Sequence, residues 1–233
     1  MPVRAILFDL GDTLFQLGPM PDDLAARVRR ALPAPFDSLA KEIVDEVVAR
    51  NAAAHRDGAH WEVPVAAIAS ARFAAQGRGH EPAAAMAVAA LGFADTGRWR
   101  GAQDTAARVA AFRARGLAIA YVSNTTTPAR LMRQRLHELG LVGLADAAVF
   151  SSEYGERKPS PAIYGEALDR LGVPAHEAVF VGDRVREDVL APQALGMRGV
   201  LTHEFRQEPF EPARPDAVLR TLPDLHRALS GWM

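Results

Sequence analysis

Cysteine is absent from this chain of 233 residues, which excludes disulfide bonds, thiolate catalysis and zinc sites built on thiolates. An excess of one charge is also absent. The 27 basic and 28 acidic residues give a net charge of -1, so we expect no general binding to nucleic acid or to a membrane surface. No apolar run approaches the length of a membrane span. The first ten residues, MPVRAILFDL, are too short and too early charged for a signal peptide, and we therefore expect a cytoplasmic protein.

Lysine is scarce in this chain. Only Lys41 and Lys158 are lysines among the 27 basic residues, and the other cationic side chains are arginines. A lysine in such a chain indicates a need for a compact, strongly hydrated ammonium, which suits a phosphoryl oxygen or a nucleophilic carboxylate better than a planar guanidinium does. The competing interpretation is a chance surface lysine, which we favour for Lys41 and keep open for Lys158.

The hydrophobic pattern divides the chain into two kinds of segment. Residues 4–9 form a short apolar run that predicts a buried strand, with a loop starting after Asp9. Residues 17–98 are rich in alanine, show helical periodicity and contain no convincing strand. We therefore predict an α/β core made of residues 1–16 and 99–233, interrupted by a helical domain at residues 17–98.

From about residue 102 the predicted helices and strands alternate, with proline at helix starts and glycine at helix ends. This alternation predicts right-handed crossovers and a doubly wound, mainly parallel sheet. Residues 215–232 are predicted to form one closing helix. In such sheets ligands bind beyond the carboxyl ends of the strands. Four predicted strand ends carry polar or charged groups: Asp9, Ser123 with Asn124, the loop reaching Lys158, and Gly182 with Asp183.

Each of these residues also has a purely structural interpretation. A carboxylate such as Asp9 often only hydrogen-bonds a loop, and the Ser123 hydroxyl could cap the helix predicted to start near Pro128. Asp183 and Asp188 could cap a helix, but two carboxylates around a strand-to-helix turn can also ligate a hard cation through oxygen. The convergence of these groups on one edge of the sheet is a stronger argument for a site than any single residue.

Together these motifs resemble those of the haloacid dehalogenase-like superfamily. Its four motifs occur here in order: Asp9 and Thr13 in DLGDT, Ser123 in VSN, Lys158 followed by Pro159, and Asp183 with Asp188 in GDRVRED. The helical insertion corresponds to the cap that these enzymes carry after the first motif. The resemblance implies a Rossmann-like α/β core with an inserted α-helical cap, and it implies hydrolysis of small phosphorylated metabolites.

The resemblance also implies a role for each motif residue. Asp9 would attack phosphorus and form an aspartyl-phosphate that water then cleaves. Ser123 and Lys158 would act as catalytic groups on the transferring oxygens. The magnesium site would consist of Asp9, the Gly11 carbonyl and Asp183, which would hold the ion, and Asp188, which would orient a metal-bound water or support Asp183. Four residues would bind the phosphate group: Thr13, Ser123, Asn124 and Lys158.

The sequence departs from the family pattern two residues after the nucleophile. Family phosphatases carry a second Asp there, which protonates the leaving oxygen and then activates water, whereas this chain has Gly11. Asp12 follows one residue later. Since consecutive side chains of extended backbone point to opposite sides, we expect Asp12 to hydrogen-bond the loop rather than replace the missing acid. Loss of an acid–base group slows catalysis by about two to four orders of magnitude without necessarily ending it.

Three functions remain open at this point. The first, which we favour, is a phosphatase that is slow or directed at good leaving groups such as acyl phosphates. The second is a 2-haloacid dehalogenase-type hydrolase, because halide leaves without a proton. The family's dehalogenases carry an aromatic residue at the position of Gly11, however, and we find no polar halide cradle in the sequence. The third is a binding or regulatory protein that retains the fold with little turnover.

Cap residues give weaker clues to the substrate. Most cationic residues on alanine-rich helices face solvent, and the same is expected of most candidates for lining the pocket. These candidates are Trp61, Arg72, His80, Arg98 and Arg100. The seven histidines show no spacing typical of metal ligands, so we expect them to be scattered surface residues.

Overall fold

The computed structural model of the protein describes residues 2–74, 80–100 and 104–233. This part of the chain contains short strands that alternate with helices after residue 104. The strands, in chain order, are β1 Ala5–Phe8, β2 Gln16–Leu17, β3 Trp99–Arg100, β4 Ala118–Ser123, β5 Ala147–Phe150, β6 Ala178–Gly182, β7 Arg198–Thr202 and β8 Ala217–Leu219.

Helices fill the insertion and flank the sheet. The α-helices are α1 Leu24–Ala31, α2 Ala40–Asp57, α3 Val65–Ala74, α4 His80–Thr96, α5 Thr105–Arg113, α6 Ala129–Glu138, α7 Ser151–Tyr154, α8 Pro161–Leu171, α9 Ala191–Ala194 and α10 Leu225–Ser230. Short 3₁₀ turns lie at Phe36–Leu39, Val142–Leu144, Ala175–Glu177 and Leu222–Asp224, and Val185–Leu190 forms a π-helical segment. Among the described residues no helix combines the length and apolar character that crossing a bilayer requires.

The main sheet has six strands in the order β5-β4-β1-β6-β7-β8, and every neighbouring pair is parallel. The doubly wound, mainly parallel sheet predicted from the sequence is therefore confirmed. Strand β1 lies between β4 and β6, so the chain builds one half of the sheet, then crosses over β1 and builds the other. This point of reversal is where open α/β sheets bind ligands, and the loop after β1 lies there.

Alternating side chains of β1 explain why helices cover both faces of the sheet. Ile6 and Phe8 join an apolar cluster that includes residues of α5, α6 and α10. Ala5 and Leu7 point to the opposite face and join a cluster with residues of α8. All four side chains are fully buried. A strand buried on both faces needs the continuous apolar sequence that residues 5–8 have.

The helical insertion has an apolar core of its own. Buried residues of α1, α2, α3 and α4 pack together, and Phe36 contacts Phe73 edge to face with ring centroids 4.9 Å apart. The chain enters and leaves this part through the antiparallel pair of β2 and β3, in which Leu17 faces Trp99. This pair lies at the domain boundaries placed at residues 16/17 and 98/99, and the division into two domains stays a prediction.

The prediction of a single closing helix at residues 215–232 is wrong. Residues 217–219 instead form β8, which pairs in parallel with β7, and α10 begins only at Leu225. The physical reason is local. Pro223 has no backbone N–H to donate to a preceding turn. The Asp224 carboxylate accepts the backbone N–H of Thr221 at 3.1 Å and starts a new helical turn there.

Candidate active site

The polar groups predicted at the strand ends converge on one pocket. Asp9 follows β1, Ser123 ends β4, Asp183 follows β6, and Lys158 lies in the loop between α7 and α8. The pocket has a volume of about 350 Å³ and lies between the sheet edge and the helical insertion. Predicted site residues that line it are Asp9, Gly11, Ser123, Asn124, Lys158 and Asp183.

Asp9 is buried but reaches the pocket. Its Oδ1 accepts a hydrogen bond from Lys158 Nζ at 2.7 Å, and its Oδ2 accepts one from the Thr13 hydroxyl at 3.3 Å. Burial raises the pKa of Asp9 to about 6, although the Lys158 ammonium opposes this rise. The carboxylate is therefore largely ionised at neutral pH, as a nucleophile must be.

Lys158 is a buried residue, with 3% of its surface exposed. Its Nζ donates to Asp9 Oδ1 and to Asp188 Oδ1, each at 2.7 Å. Burial alone would lower the pKa of Lys158, but the carboxylates of Asp188 and Asp9 outweigh it and raise that pKa above its ordinary value. The interpretation of Lys158 as a chance surface lysine is wrong. Lys41, by contrast, has a side chain 77% exposed and pairs with Asp45 on α2.

Three buried carboxylates, Asp9, Asp183 and Asp188, form what we call the carboxylate cluster. One oxygen of each lies within 4.8 Å of the others. Burial, and then the charges of Asp9 and Asp188, raise the pKa of Asp183 to about 7. Two cations, Lys158 and Arg206, contact these three carboxylates. Carboxylate oxygens are the ligands that hard divalent cations prefer, so the residues present fit a divalent metal ion.

The sequence after β6 places Asp188 against the backbone of Gly182. The π-helical segment turns Asp188 back, and its Oδ2 accepts the backbone N–H of Arg184 at 2.9 Å. A Cβ at position 182 would lie 2.2 Å from Asp188 Cγ, a distance that real Cβ atoms do not reach. Glycine at 182 is therefore required for Asp188 to reach Lys158.

Two of the predicted phosphate-binding residues, Asn124 and Thr13, have contacts that hold other site residues. The amide of Asn124 forms two hydrogen bonds with the backbone of Lys158, from Lys158 N to Oδ1 at 2.7 Å and from Nδ2 to Lys158 O at 2.8 Å. Thr13 is fully buried against Asp9. Ser123 does not cap α6, whose N-cap residue is Pro128. Contact of these side chains with phosphate stays a prediction.

The position of the missing second Asp is filled by an apolar side chain. A Cβ built on Gly11 would lie 2.6 Å from Leu17 Cδ1 and 3.0 Å from Leu17 Cγ. Asp12 has a positive φ of 54°, and its Oδ1 accepts the backbone N–H of Leu17 at 2.8 Å. Asp12 thus makes the loop hydrogen bond expected of it.

A second buried polar group, which we call the Arg157 cluster, joins the helical insertion to the sheet. It consists of Arg157, Asn51, His55 and Glu62. Arg157 is 1% exposed and donates to Glu62 Oε1 at 3.3 Å, Asn51 Oδ1 at 3.1 Å and His55 Nε2 at 2.8 Å. Burial lowers the pKa of Arg157. Burial and the Arg157 charge lower the pKa of His55 to about 3, so this histidine is neutral.

Sequence reasoning missed the Arg157 cluster and one further residue, Arg206, whose Nη1 donates to Asp183 Oδ2 at 2.8 Å. In a chain that uses arginine almost throughout, a buried arginine carries no compositional signal. His55 is expected at the surface, but the structure places it half-buried against Arg157, so that expectation is wrong for this residue. Only the fold shows that His55 lies beside Arg157, which precedes Lys158 in the chain.

Among the proposed cap candidates, Arg98 lines the pocket. Its Nε donates to Asp95 Oδ1 and its Nη1 to Gly18 O, both at 2.8 Å. The other three described candidates lie elsewhere: Trp61 is 71% exposed, Arg72 pairs with Glu46, and Arg100 donates to Gly97 O. The side chain of His80 lies outside the part of the chain that the structure describes.

Fold and site define an α/β protein of the capped type, with a carboxylate-centred pocket at the point where the sheet reverses. The chain belongs to the haloacid dehalogenase-like hydrolase family, whose family profile matches residues 3–196. The resemblance drawn from the four motifs is therefore confirmed.

Several relatives with similar sequences are named as phosphatases. A glyceraldehyde 3-phosphate phosphatase from Methanopyrus kandleri is 38% identical over 85 residues, which cover 36% of each chain. A phosphoserine phosphatase from Thermus thermophilus is 31% identical over 145 residues, covering 62% of this chain and 57% of that one. Both matches span less than two thirds of the relative's own length. The crystal structure of a 2-haloacid dehalogenase from Pseudomonas syringae pv. Tomato superposes with a TM-score of 0.70 at 22% identity, covering 99% of this chain and 100% of that one. At this identity the match shows the fold alone.

Proposed function

We propose that the protein is a magnesium-dependent phosphatase of small phosphorylated metabolites that acts through an aspartyl-phosphate on Asp9. The observation that carries the proposal is the ion pair of 2.7 Å between the buried Asp9 carboxylate and Lys158 Nζ at the floor of the pocket. This pair keeps the carboxylate ionised in surroundings that would otherwise protonate it.

The covalent step uses groups that line the pocket. A carboxylate oxygen of Asp9 attacks phosphorus, the new O–P bond forms, and the bond to the leaving oxygen breaks. Lys158 and Ser123 would donate hydrogen bonds to the phosphoryl oxygens, where negative charge is spread in the transition state. Water then attacks phosphorus, releases inorganic phosphate and restores the Asp9 carboxylate.

Magnesium fits the carboxylate cluster. Asp9, Asp183 and the Gly11 carbonyl would hold the ion, and Asp188 would support the site through its hydrogen bond to Lys158. The cation supplies charge that lets an anionic phosphate approach an anionic carboxylate. Arg206 would hold Asp183 in place through its 2.8 Å hydrogen bond.

The sequence relatives favour phosphate esters or anhydrides over haloacids as substrates. The relatives named above are phosphatases, while the likeness to the dehalogenase structure extends to the fold alone. The buried Lys158 ammonium and the carboxylate cluster also suit a doubly charged phosphoryl group bound together with a cation.

The test is phosphate release from p-nitrophenyl phosphate by wild type and by Asp9→Asn, each with and without magnesium. We expect release that requires magnesium and that falls by at least about 10⁴-fold in the variant. Asp45→Asn, which changes an exposed carboxylate on α2, is the matched control and should retain full activity. Full activity of Asp9→Asn would contradict the proposal. Halide release from 2-chloropropionate, measured in parallel, would point to the dehalogenase instead.

A further inference from the structure

We propose that Gly11, together with the Leu17 side chain packed against it, makes this enzyme selective for phosphorylated substrates whose leaving group departs as a stabilised anion, acyl phosphates in particular. Gly11 supplies no acid beside Asp9, and Leu17 fills the place from which a side chain at that position could protonate a leaving oxygen. The inference rests on the proposed function and deepens it by naming the substrate class.

The loop after β1 leaves room for an apolar side chain only. Gly11 contributes no side chain to the pocket, and Leu17 occupies the space where one would begin, 2.6 Å from a Cβ at that position. Leu17 is fixed there by pairing with Trp99 across β2 and β3 and by its N–H bond to Asp12. The wall of the pocket next to Asp9 therefore carries methyl groups in place of a carboxyl group.

The other acidic side chains that line the described pocket are engaged elsewhere. Both oxygens of Asp95 accept hydrogen bonds at 2.8 Å, one from Arg98 and one from Thr127. Glu187 accepts from Arg186. Asp183 belongs to the carboxylate cluster and would hold the cation. Asp12 is the remaining acid, and one of its oxygens already accepts the Leu17 N–H.

His55 also lines the pocket but is poorly suited to donate a proton. Its Nε2 accepts a hydrogen bond from the Arg157 guanidinium at 2.8 Å, which requires that nitrogen to be unprotonated. Burial and nearby arginines keep its pKa near 3. The ring therefore stays neutral at physiological pH and holds no acidic proton to transfer.

Leaving-group chemistry then decides which substrates react. When Asp9 attacks an alkyl phosphate, the electron pair of the breaking P–O bond leaves on an alkoxide, which needs a proton. When Asp9 attacks an acyl phosphate, the same pair leaves on a carboxylate, which is stable without one. Water then attacks the aspartyl-phosphate and yields the Asp9 carboxylate and dihydrogen phosphate. Arg184 lines the pocket, and its positive charge favours an anionic product fragment.

The experiment compares kcat/KM for acetyl phosphate, p-nitrophenyl phosphate, phenyl phosphate and ethyl phosphate. In wild type we expect ethyl phosphate to react at least 100-fold more slowly than acetyl phosphate, since general acid help is typically worth about 10²–10⁴-fold. In the double variant Gly11→Asp/Leu17→Ala, the ratio of kcat/KM for acetyl phosphate to kcat/KM for ethyl phosphate should fall by about 10²-fold or more. Leu17→Ala alone opens the same space without adding an acid, so its ratio of kcat/KM values should remain that of wild type.

The outcomes separate this inference from the proposed function. Similar kcat/KM values for all four substrates in wild type would overturn the inference and leave the phosphatase intact. A larger ratio of kcat/KM for acetyl phosphate to that for ethyl phosphate in Asp12→Asn than in wild type would show that Asp12 protonates the leaving oxygen. That result would also overturn the inference. No phosphate release from any substrate, acetyl phosphate included, would overturn the proposed function itself. The wild-type series and Asp12→Asn decide the matter even if the double variant does not fold.

Discussion

Two neighbouring cations, Arg157 and Lys158, occupy buried positions of opposite character. Lys158 points toward the sheet and donates to two carboxylates at 2.7 Å each. Arg157 points into the helical insertion, where Glu62 at 3.3 Å is its carboxylate partner and neutral His55 and Asn51 complete its hydrogen bonds. The pKa of Lys158 is raised and that of Arg157 is lowered.

The difference shows how one loop can serve both chemistry and assembly. Lys158 lies in a site with excess negative charge. Such a site suits a phosphoryl group that is bound together with a metal cation. Arg157 lies in a nearly neutral cluster. The cost of burying its charge is offset by the contacts it makes to α2 and to Glu62. Because the two residues share a peptide bond, seating of the helical insertion on Arg157 also fixes the backbone from which Lys158 reaches Asp9.

The largest effect is expected from Arg157→Met, which leaves the Glu62 carboxylate buried without its cation. We expect the free energy of unfolding to fall by about 3–5 kcal/mol, as is typical when one partner of a buried pair is removed. Urea denaturation measures it. Arg157→Met/Glu62→Met removes both charges and should be less destabilised than the sum of the two single variants. Additive losses would contradict a paired role for these residues.

The corresponding change at Lys158 is Lys158→Arg, which keeps the positive charge but replaces the compact ammonium by a planar guanidinium. A planar guanidinium does not fit between Asp9 and Asp188, so kcat should fall by about 10²–10³-fold, nearly as far as in Lys158→Ala. Phosphate release under saturating substrate gives the value. Lys41→Arg, on the surface of α2, should be unchanged. Full activity in Lys158→Arg would show that charge alone suffices at this position.

A smaller effect is expected from the pH dependence of stability, through His55 in the Arg157 cluster. The pKa of His55 is about 3 in the folded protein and near the ordinary value of 6.5 when unfolded. Between these two pKa values His55 binds a proton in the unfolded chain but not in the folded one. The free energy of unfolding therefore decreases as the pH falls below 6.5. Between pH 7 and pH 5 the loss should be about 2 kcal/mol.

The control for this prediction is His55→Gln, whose amide oxygen can still accept from Arg157. The difference in unfolding free energy between wild type and His55→Gln should shift by that amount between the two pH values. The subtraction removes the opposite trend expected from Asp9 and Asp183, whose pKa values are raised. A difference that does not change with pH would show that His55 titrates alike in both states.

The sequence was informative where function and fold depend on local order. The apolar run before Asp9 and the alternating segments after residue 102 predict the parallel sheet, because strand and helix periodicity are written in neighbouring residues. The same order brings Asp9, Ser123, Lys158 and Asp183 to one edge, since parallel strands end together. Their catalytic and metal-binding roles stay predictions.

What the sequence did not predict depends on contacts between distant segments. Arg157 and Glu62 are 95 residues apart, and neither has a pattern that predicts their pairing. Leu17 fills the space beside Gly11 because β2 pairs with β3, which follows the whole insertion. The sequence pattern predicts helix at strand β8 because three residues are too few to show strand alternation.

The most direct test of the central claim is mass spectrometry of wild-type enzyme that is acid-quenched during turnover of acetyl phosphate with magnesium. The account predicts a phosphoryl group on the peptide that contains Asp9, absent in Asp9→Asn and lost on treatment with hydroxylamine. Phosphate release without any adduct on that peptide, or an adduct on another residue, would contradict Asp9 as the nucleophile.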